Sequence, residues 1–502
     1  MPDALDQLHA RLHRVEDLKN AAEVLSWDQE TYMPEGGAAA RAQQLSTLQT
    51  LAHEQFTSDD VGALLDQLED ADLNALSADL VRVVRHDHER ARRVPPALVT
   101  ELSQAVSRAK QAWKTARAED NFSTFAPHLE QLVDLNVQKA RAIGYDATPY
   151  DALLDAYEPG MKTETVAQTF ATLRDDLVPL VDAIAAAPHP DDEFLHRTFD
   201  PTQQQTFGED VIRDVGFDFS RGRQDHSAHP FTTSFGTGDV RLTTRFESDF
   251  FPSGFFATLH EAGHGLYEQG FAEELARTPL ADGASLGIHE SQSRLWENQV
   301  GRSHAFWAHY FPALQGVFPD ALGDVETNAF YRAVNKVEPS LIRVEADEVT
   351  YNLHIMLRFE LERGLIEGTI TVDELPALWN ERMDDYLGIR PDTDADGVLQ
   401  DIHWSLGAFG YFPTYALGTL MSAQFFAQAT ADLGDVEAHV AEGDFAPLLG
   451  WLRENVHQHG RRYRATELLE RVTNEQLKAT PWLDYIREKY GALYDFSAAP
   501  AS

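Results

Sequence analysis

The chain has 502 residues, 43% hydrophobic and 10% aromatic, which is enough to bury a sizeable core and rules out a disordered or fibrous protein. Lys and Arg number 41 against 81 Asp and Glu, and a net charge of −40 repels phosphate backbones and anionic lipid, so neither nucleic acid nor a membrane surface is an expected partner. There is no cysteine, which excludes disulfides, thiolate metal sites and cysteine nucleophiles.

The N-terminal MPDALDQLHARLHRVEDL has no basic cluster followed by an apolar run, and it predicts an amphipathic helix rather than a secretory leader. Leu5, Leu8, Leu12, Val15 and Leu18 recur there at three- and four-residue steps. Similar periodicity runs over 59–92, 97–118, 125–142, 163–186, 320–336, 344–366, 373–388, 414–432 and 445–456. Helix stops stand at Met33-Pro34-Glu35-Gly36-Gly37, Val94-Pro95-Pro96 and Glu158-Pro159-Gly160. His86 and His88, two apart among charged residues, read as a solvated surface. Residues 187–208 read as an irregular surface excursion. Within 227–247, Phe, Thr and Val gather around Gly236-Thr237-Gly238-Asp239, a hairpin signal inside a helical chain. The tail Ser497–Ser502 reads as frayed. No apolar run reaches the roughly 18 residues of a membrane helix, so the cytoplasm is the expected location. The expected fold class is mainly α: one domain over residues 1–502, with two halves flanking a cleft.

The strongest chemical signal is His260-Glu261-Ala262-Gly263-His264, the pattern H-E-x-x-H. On a helix, residues i and i+4 share a face, so both imidazoles can reach one ion, while Glu261 sits beside that face and can reach a water instead. The preceding Phe255-Phe256-Ala257-Thr258-Leu259 is apolar enough to bury the helix. A catalytic site of this kind needs a third protein ligand and an open position. Gly287 to Asn298 reads as a second helix, and Glu290 on it is the candidate. His289 and Glu297 are its local competitors, and Arg294 at i+4 offers Glu290 an ordinary ion pair.

Several motifs resemble the carboxypeptidase Taq family of metallocarboxypeptidases. They run in order from Leu25-Ser26-Trp27-Asp28-Gln29-Glu30-Thr31-Tyr32-Met33-Pro34 and Tyr150-Asp151-Ala152-Leu153-Leu154-Asp155-Ala156-Tyr157-Glu158-Pro159-Gly160-Met161 through His229-Pro230-Phe231 and Asp239-Val240-Arg241-Leu242-Thr243. The series continues with His260 to His264, His289-Glu290-Ser291-Gln292, Ile342-Arg343-Val344-Glu345-Ala346-Asp347 and Gly397 to Trp404. The resemblance implies a large helical fold with a deep groove, a homodimer, and release of C-terminal amino acids from peptides. It implies one divalent metal per chain, zinc or, in some members, cobalt. His260, His264 and Glu290 would be the ligands and Glu261 the general base.

Peptide hydrolysis also needs a donor for the tetrahedral oxyanion. Tyr415 and His403 are the candidates, twelve residues apart around the glycine-rich Gly407 to Pro413, similar to the His/Tyr loop that related helical metallopeptidases fold over their metal; Tyr411 is the alternative. The substrate's terminal carboxylate calls for an arginine. Arg343 is the first choice, with Arg241 and Arg245 on the hairpin as alternatives and an i+4 ion pair to Asp347 as the competing use of Arg343. His229 is a further candidate for lining the pocket. An exposed hairpin edge offers backbone pairing to an extended peptide. The rival readings are an oligo-endopeptidase using the same metal chemistry and a non-catalytic helical scaffold.

The acidity has its own meaning. Only eight lysines occur, the other 33 basic residues being arginine, and a net magnitude of about 2–8 already serves solubility in a small domain. Excess surface carboxylate repels itself unless salt screens it, so the composition reads as adaptation to a high-salt cytoplasm.

Overall fold

A computed structural model describes residues 2–495; the tail Ser497–Ser502 lies outside the described residues. About 70% of the chain is helical, with one small sheet, so the fold is mainly α. The chain forms two compact units. One takes the chain up to Arg92, then Asp191–Val334 and Gln424–Glu475; the other takes Arg93–Pro190, Asn335–Ala423 and the chain from Gln476 on.

In the first unit the N-terminal helix Pro2–Thr31 follows its periodicity, with Leu8, Leu12 and Val15 buried. The 59–92 pattern is two helices, Asp59–Leu68 and Ala75–Arg93, which close a common cluster with Leu8 and Leu12. His88 is buried there rather than solvated, its Nε2 3.4 Å from the Ser58 carbonyl oxygen.

The stretch 187–208 is not a surface excursion. Phe194, Leu195, Phe199 and Phe207 are buried, and Phe199 packs edge-on against Phe318 with ring centroids 5.2 Å apart. From Pro201 to Val215 the chain is helical. Asp200 caps it, its side chain accepting from the Gln203 amide at 3.0 Å, and Pro201 supplies the first-turn φ. This Asp-Pro start, among glutamines, sets the helix without a run of apolar residues.

The hairpin forms as expected, and a third strand joins it. β1 (Gly222–His226) lies parallel to β3 (Val240–Thr244), and β2 (Phe231–Ser234) lies antiparallel to β3, giving the order β1-β3-β2. Register pairs Phe231 with Thr243 and Ser234 with Val240. β1 reads GRQDH and carries no alternating apolar signal; what admits it is Gly222, whose absent Cβ would sit 2.4 Å from the Val240 carbonyl oxygen. Buried Gln224 then donates to Thr244 at 2.8 Å and Thr258 at 2.9 Å, tying the sheet to the next helix.

That helix, Phe251–Gln269, is buried along most of its length. Phe251, Phe255 and Phe256 interlock with Phe199, Phe207, Trp307 and Phe318, so its axis is fixed by aromatic packing. The helix Leu286–Arg294 packs on it, capped by Ser285, and continues as a π-helical stretch, Leu295–Val300. A Cβ on Gly263 would lie 2.6 Å from both the Gln292 carbonyl oxygen and the Ser293 Cα, so only glycine permits this approach of the two helices.

The second unit has helices but no strand among its described residues. Pro96–Ala118 packs on Phe122–Ile143, and the buried Tyr351–Glu367 runs among their neighbours. The 344–366 pattern yields a helix only from Tyr351, because Asp347 accepts from the Val349 and Thr350 amides and starts it there.

Candidate metal centre

His260 and His264 lie one turn apart on one face of Phe251–Gln269, as their spacing requires. Glu290, on Leu286–Arg294, faces both: its Oε2 is 3.5 Å from His260 Nε2 and 3.5 Å from His264 Nε2. The three donor atoms lie within 4.8 Å of one another. Arg294 Nε donates to the other oxygen, Oε1, at 2.7 Å, so the ion pair and the converging geometry coexist on one carboxylate. Glu261 points elsewhere on the same helix, its Oε2 accepting from Thr232 Oγ1 of β2 at 2.6 Å.

The competitors from the sequence turn out to be partners. His260 Nδ1 lies 2.9 Å from Glu297 Oε2, so Nδ1 donates to that carboxylate and Nε2 is the nitrogen turned toward Glu290. His289 Nε2 lies 2.7 Å from Glu268 Oε1, which places its proton on Nε2. His289 Nδ1 lies 2.6 Å from His264 Nδ1, and with a neutral His289 the proton of this contact sits on His264 Nδ1, leaving His264 Nε2 for an ion. Glu268 Oε2 accepts in turn from Ser234 at 2.8 Å. Both imidazoles turn Nε2 toward Glu290, and a metal bound there would take the place of any proton on those nitrogens.

The charges of the cluster set its protonation: burial opposes the His260 cation, but Glu290 and Glu297 outweigh burial and raise His260. Burial alone would raise the Glu290 carboxyl, but Arg294 and the two histidines outweigh it and hold the group ionised. Burial likewise opposes ionisation of Glu297, yet Arg294 and His260 bring it down to about 2. His264 is pushed down to about 3 by burial, which keeps it neutral. Glu261 goes the other way: burial raises it, against His260 and the Thr232 hydroxyl. A tetrahedral zinc with bonds of about 2.0–2.1 Å sets neighbouring donors about 3.4 Å apart, so the 3.5 Å separations and the two-nitrogen, one-oxygen donor set fit such an ion.

The remaining sequence candidates divide. Arg241 pairs with Asp239 at 2.8 Å, and its guanidinium lies 4.3 Å over Trp27 and 4.8 Å over Phe235. Arg245 pairs with Glu247 at 2.7 Å, and His229 is exposed at the turn before β2. In the second unit His403 Nε2 lies 3.2 Å from the Tyr415 hydroxyl, and the Tyr411 ring centroid lies 5.3 Å from that of His403. Burial, only partly offset by Asp401, lowers His403 to about 4. Arg343 does not pair with Asp347. Its Nε and NH2 donate to Asp401 Oδ1 at 3.0 and 2.8 Å, its NH1 to Tyr351 at 2.9 Å, and its guanidinium lies 5.2 Å over the Tyr415 ring. Arg358 binds the other oxygen of Asp401 at 2.6 Å. Sequence reasoning did not single out Asp401, Arg358, Glu268 or Thr232. The first lies within the Gly397 to Trp404 motif, and the rest carry no local signal.

A helix-borne pair of imidazoles, a carboxylate from the next helix and a buried glutamate on the first helix fit the donor set of a metal-dependent hydrolase. Residues 7–490 match the model of the carboxypeptidase Taq (M32) metallopeptidase family, and the chain belongs to that family. It is 46% identical over 491 residues to thermostable carboxypeptidase 1 of Thermus thermophilus, covering 95% of this chain and 96% of that one. Carboxypeptidase 1 of Bacillus subtilis is 40% identical over 96% of this chain and 97% of its own. The crystal structure of the M32 carboxypeptidase from Deinococcus radiodurans superposes with a TM-score of 0.97 at 46% identity, covering 98% of this chain and all of that one. The chain is therefore a metallocarboxypeptidase, a peptide hydrolase dependent on a divalent metal. No helix among the described residues is long and apolar enough to cross a membrane.

Proposed function

We propose that the chain releases amino acids singly from the C-terminal ends of peptides, with broad specificity, using His260, His264 and Glu290 to hold one divalent ion. The observation that carries the assignment of ligands is the convergence of two Nε2 atoms on Glu290 Oε2 at 3.5 Å. Zinc is the proposed ion, with cobalt as the alternative. When bound, it lowers the pKa of water and polarises a carbonyl.

The chain's residues supply the rest. Glu261 accepts the proton of the attacking water and returns it to the departing amine; its burial, which raises the carboxyl, suits it to both transfers. Tyr415, with His403 hydrogen-bonded to its hydroxyl, is assigned to the oxyanion, Tyr411 being the alternative. Arg343, with Arg241 and Arg245 as alternatives, is assigned to the terminal carboxylate, and His229 to the pocket wall. Its salt bridge to Asp401 holds Arg343 in a fixed orientation. β2 pairs with β3 on one edge only among the described residues, and its other edge is assigned to the backbone of an extended peptide. The same proposal takes the protein as a single-domain homodimer of a high-salt cytoplasm.

The test uses metal-loaded enzyme on an N-terminally blocked peptide. Free C-terminal amino acids should accumulate one after another, and a C-terminally amidated copy should survive. Internal cuts, or equal hydrolysis of the amide, would instead indicate an endopeptidase. Glu261→Gln should keep its metal while turnover drops about 10²–10⁴-fold; undiminished turnover would remove Glu261 from the chemistry.

A further inference from the structure

The second unit buries a carboxylate that no step above uses. Glu362, on Tyr351–Glu367, is fully buried and has no basic partner among the described residues. An anion so placed is costly unless its oxygens are well occupied. Three donors occupy them. Tyr150 donates to Oε1 at 2.7 Å, the Gly410 amide donates to the same oxygen, and the Trp404 indole donates to Oε2 at 3.0 Å.

Two of these donors are informative by position. Trp404 directly follows His403, and Gly410 directly precedes Tyr411. The carboxylate thus bridges both ends of the turn that separates His403 from the helix of Tyr415. The turn has little other freedom. Gly407 and Gly410 have φ of 66° and 91°, and a Cβ on Gly410 would lie 2.7 Å from the backbone of Leu153 and Leu154. Beyond it, the Phe412 ring packs tilted against the His403 ring with centroids 4.4 Å apart, and His403 meets the Tyr415 hydroxyl.

We propose that Glu362 is a positioning residue: it staples the 403–411 turn at both ends and so holds His403 and Tyr415 in the register the reaction needs. It touches neither substrate nor metal. This rests on the assignment of Tyr415 and His403 to the oxyanion. Misplacement of a catalytic group by about 1 Å costs about 100-fold in rate. Glu362→Gln keeps the volume but sets an amide against a donor, so one end of the turn is released.

The experiment is a double-mutant cycle on the full-length, metal-loaded protein: wild type, Glu362→Gln, Tyr415→Phe and the double variant, with kcat, KM, metal content and melting temperature measured for each. Glu362→Gln is expected to lower kcat about 10–100-fold, with KM within about threefold and metal content unchanged. In the Tyr415→Phe background the same change is expected to cost less than about threefold, because the hydroxyl that the His403–Tyr415 contact presents is already gone. Equal losses in both backgrounds would overturn the proposal and leave Glu362 a folding residue. So would wild-type kcat in Glu362→Gln. Wild-type kcat in Tyr415→Phe would instead overturn the assignment of Tyr415, and the positioning role with it. Should Glu362→Gln fail to fold, Trp404→Phe removes one bond of the same staple and carries the same cycle, with an expected loss of about 3–10-fold.

Discussion

Gly263, the last variable position of the H-E-x-x-H pattern, can be tested for what it permits. In Gly263→Ala the new methyl would stand 2.6 Å from the Gln292 carbonyl oxygen and 2.6 Å from the Ser293 Cα, both backbone atoms. Ordinary contact is about 3.5 Å, so the two helices must part by roughly 0.9 Å. Glu290 travels with Gln292 and Ser293. Taken along the line joining the helices, its 3.5 Å separations from the histidine Nε2 atoms grow to roughly 4.4 Å. Two zinc bonds end to end span only about 4.1 Å, so one ligand must let go. Stability should fall by about 1–3 kcal/mol, the usual cost of overpacking. Metal affinity, measured by chelator competition, should fall more than about 100-fold, beyond the cost of losing an outer partner. Gly450→Ala is the control: its Cβ meets nothing within 4 Å, and the change should be neutral or stabilising by about 0.5–1 kcal/mol. Wild-type metal affinity in Gly263→Ala would refute the claim that helix approach sets the donor geometry.

Other outcomes follow from the same geometry. His289→Phe keeps the ring volume but removes the acceptor for His264 Nδ1, and metal binding should weaken about 10–100-fold while the fold persists; unchanged affinity would deny His289 an orienting role. Glu362, raised to about 7 by burial, is protonated more readily folded than unfolded, so its contribution to stability is complete below pH 4.5 and lost as pH rises to about 7. The stability difference between wild type and Glu362→Gln should shrink by about 3 kcal/mol across that window in pH-dependent denaturation, and a flat difference would count against the raised pKa. Melting temperature should climb from low to molar KCl as salt screens the net charge of −40; a flat series would remove the high-salt reading.

Local spacing made part of this molecule legible. An i, i+4 pair of histidines behind a run of phenylalanines needs no tertiary information to predict a shared, buried face, and Glu290 followed from the next amphipathic segment. Pairings across long separations were not legible. Arg343 could be matched to Asp347 by helix spacing, yet Asp347 is consumed in starting the Tyr351 helix, and the partner is Asp401, 58 positions on. β1 escaped notice because GRQDH is admitted by a close approach at Gly222 rather than by its own propensity. The Pro201 helix escaped because its start is polar and its buried face is shared among residues that look isolated in the chain. Glu362 escaped because its three donors come from distant points in the sequence.

His457 is fully buried against the site helices: its Nε2 lies 2.9 Å from Gln292 Oε1, and its Cβ would be 2.6 Å from any Cβ on Gly270. This contact spans 165 residues, and the unit that holds it draws on three separate stretches of chain. A ribosome therefore delivers both imidazoles and Glu290 long before it delivers the side chain that wedges their helices. The nascent polypeptide must keep its aromatic surfaces from premature association until His457 has been made, and a protein truncated before that residue would lack the buttress of its own candidate metal-binding helices.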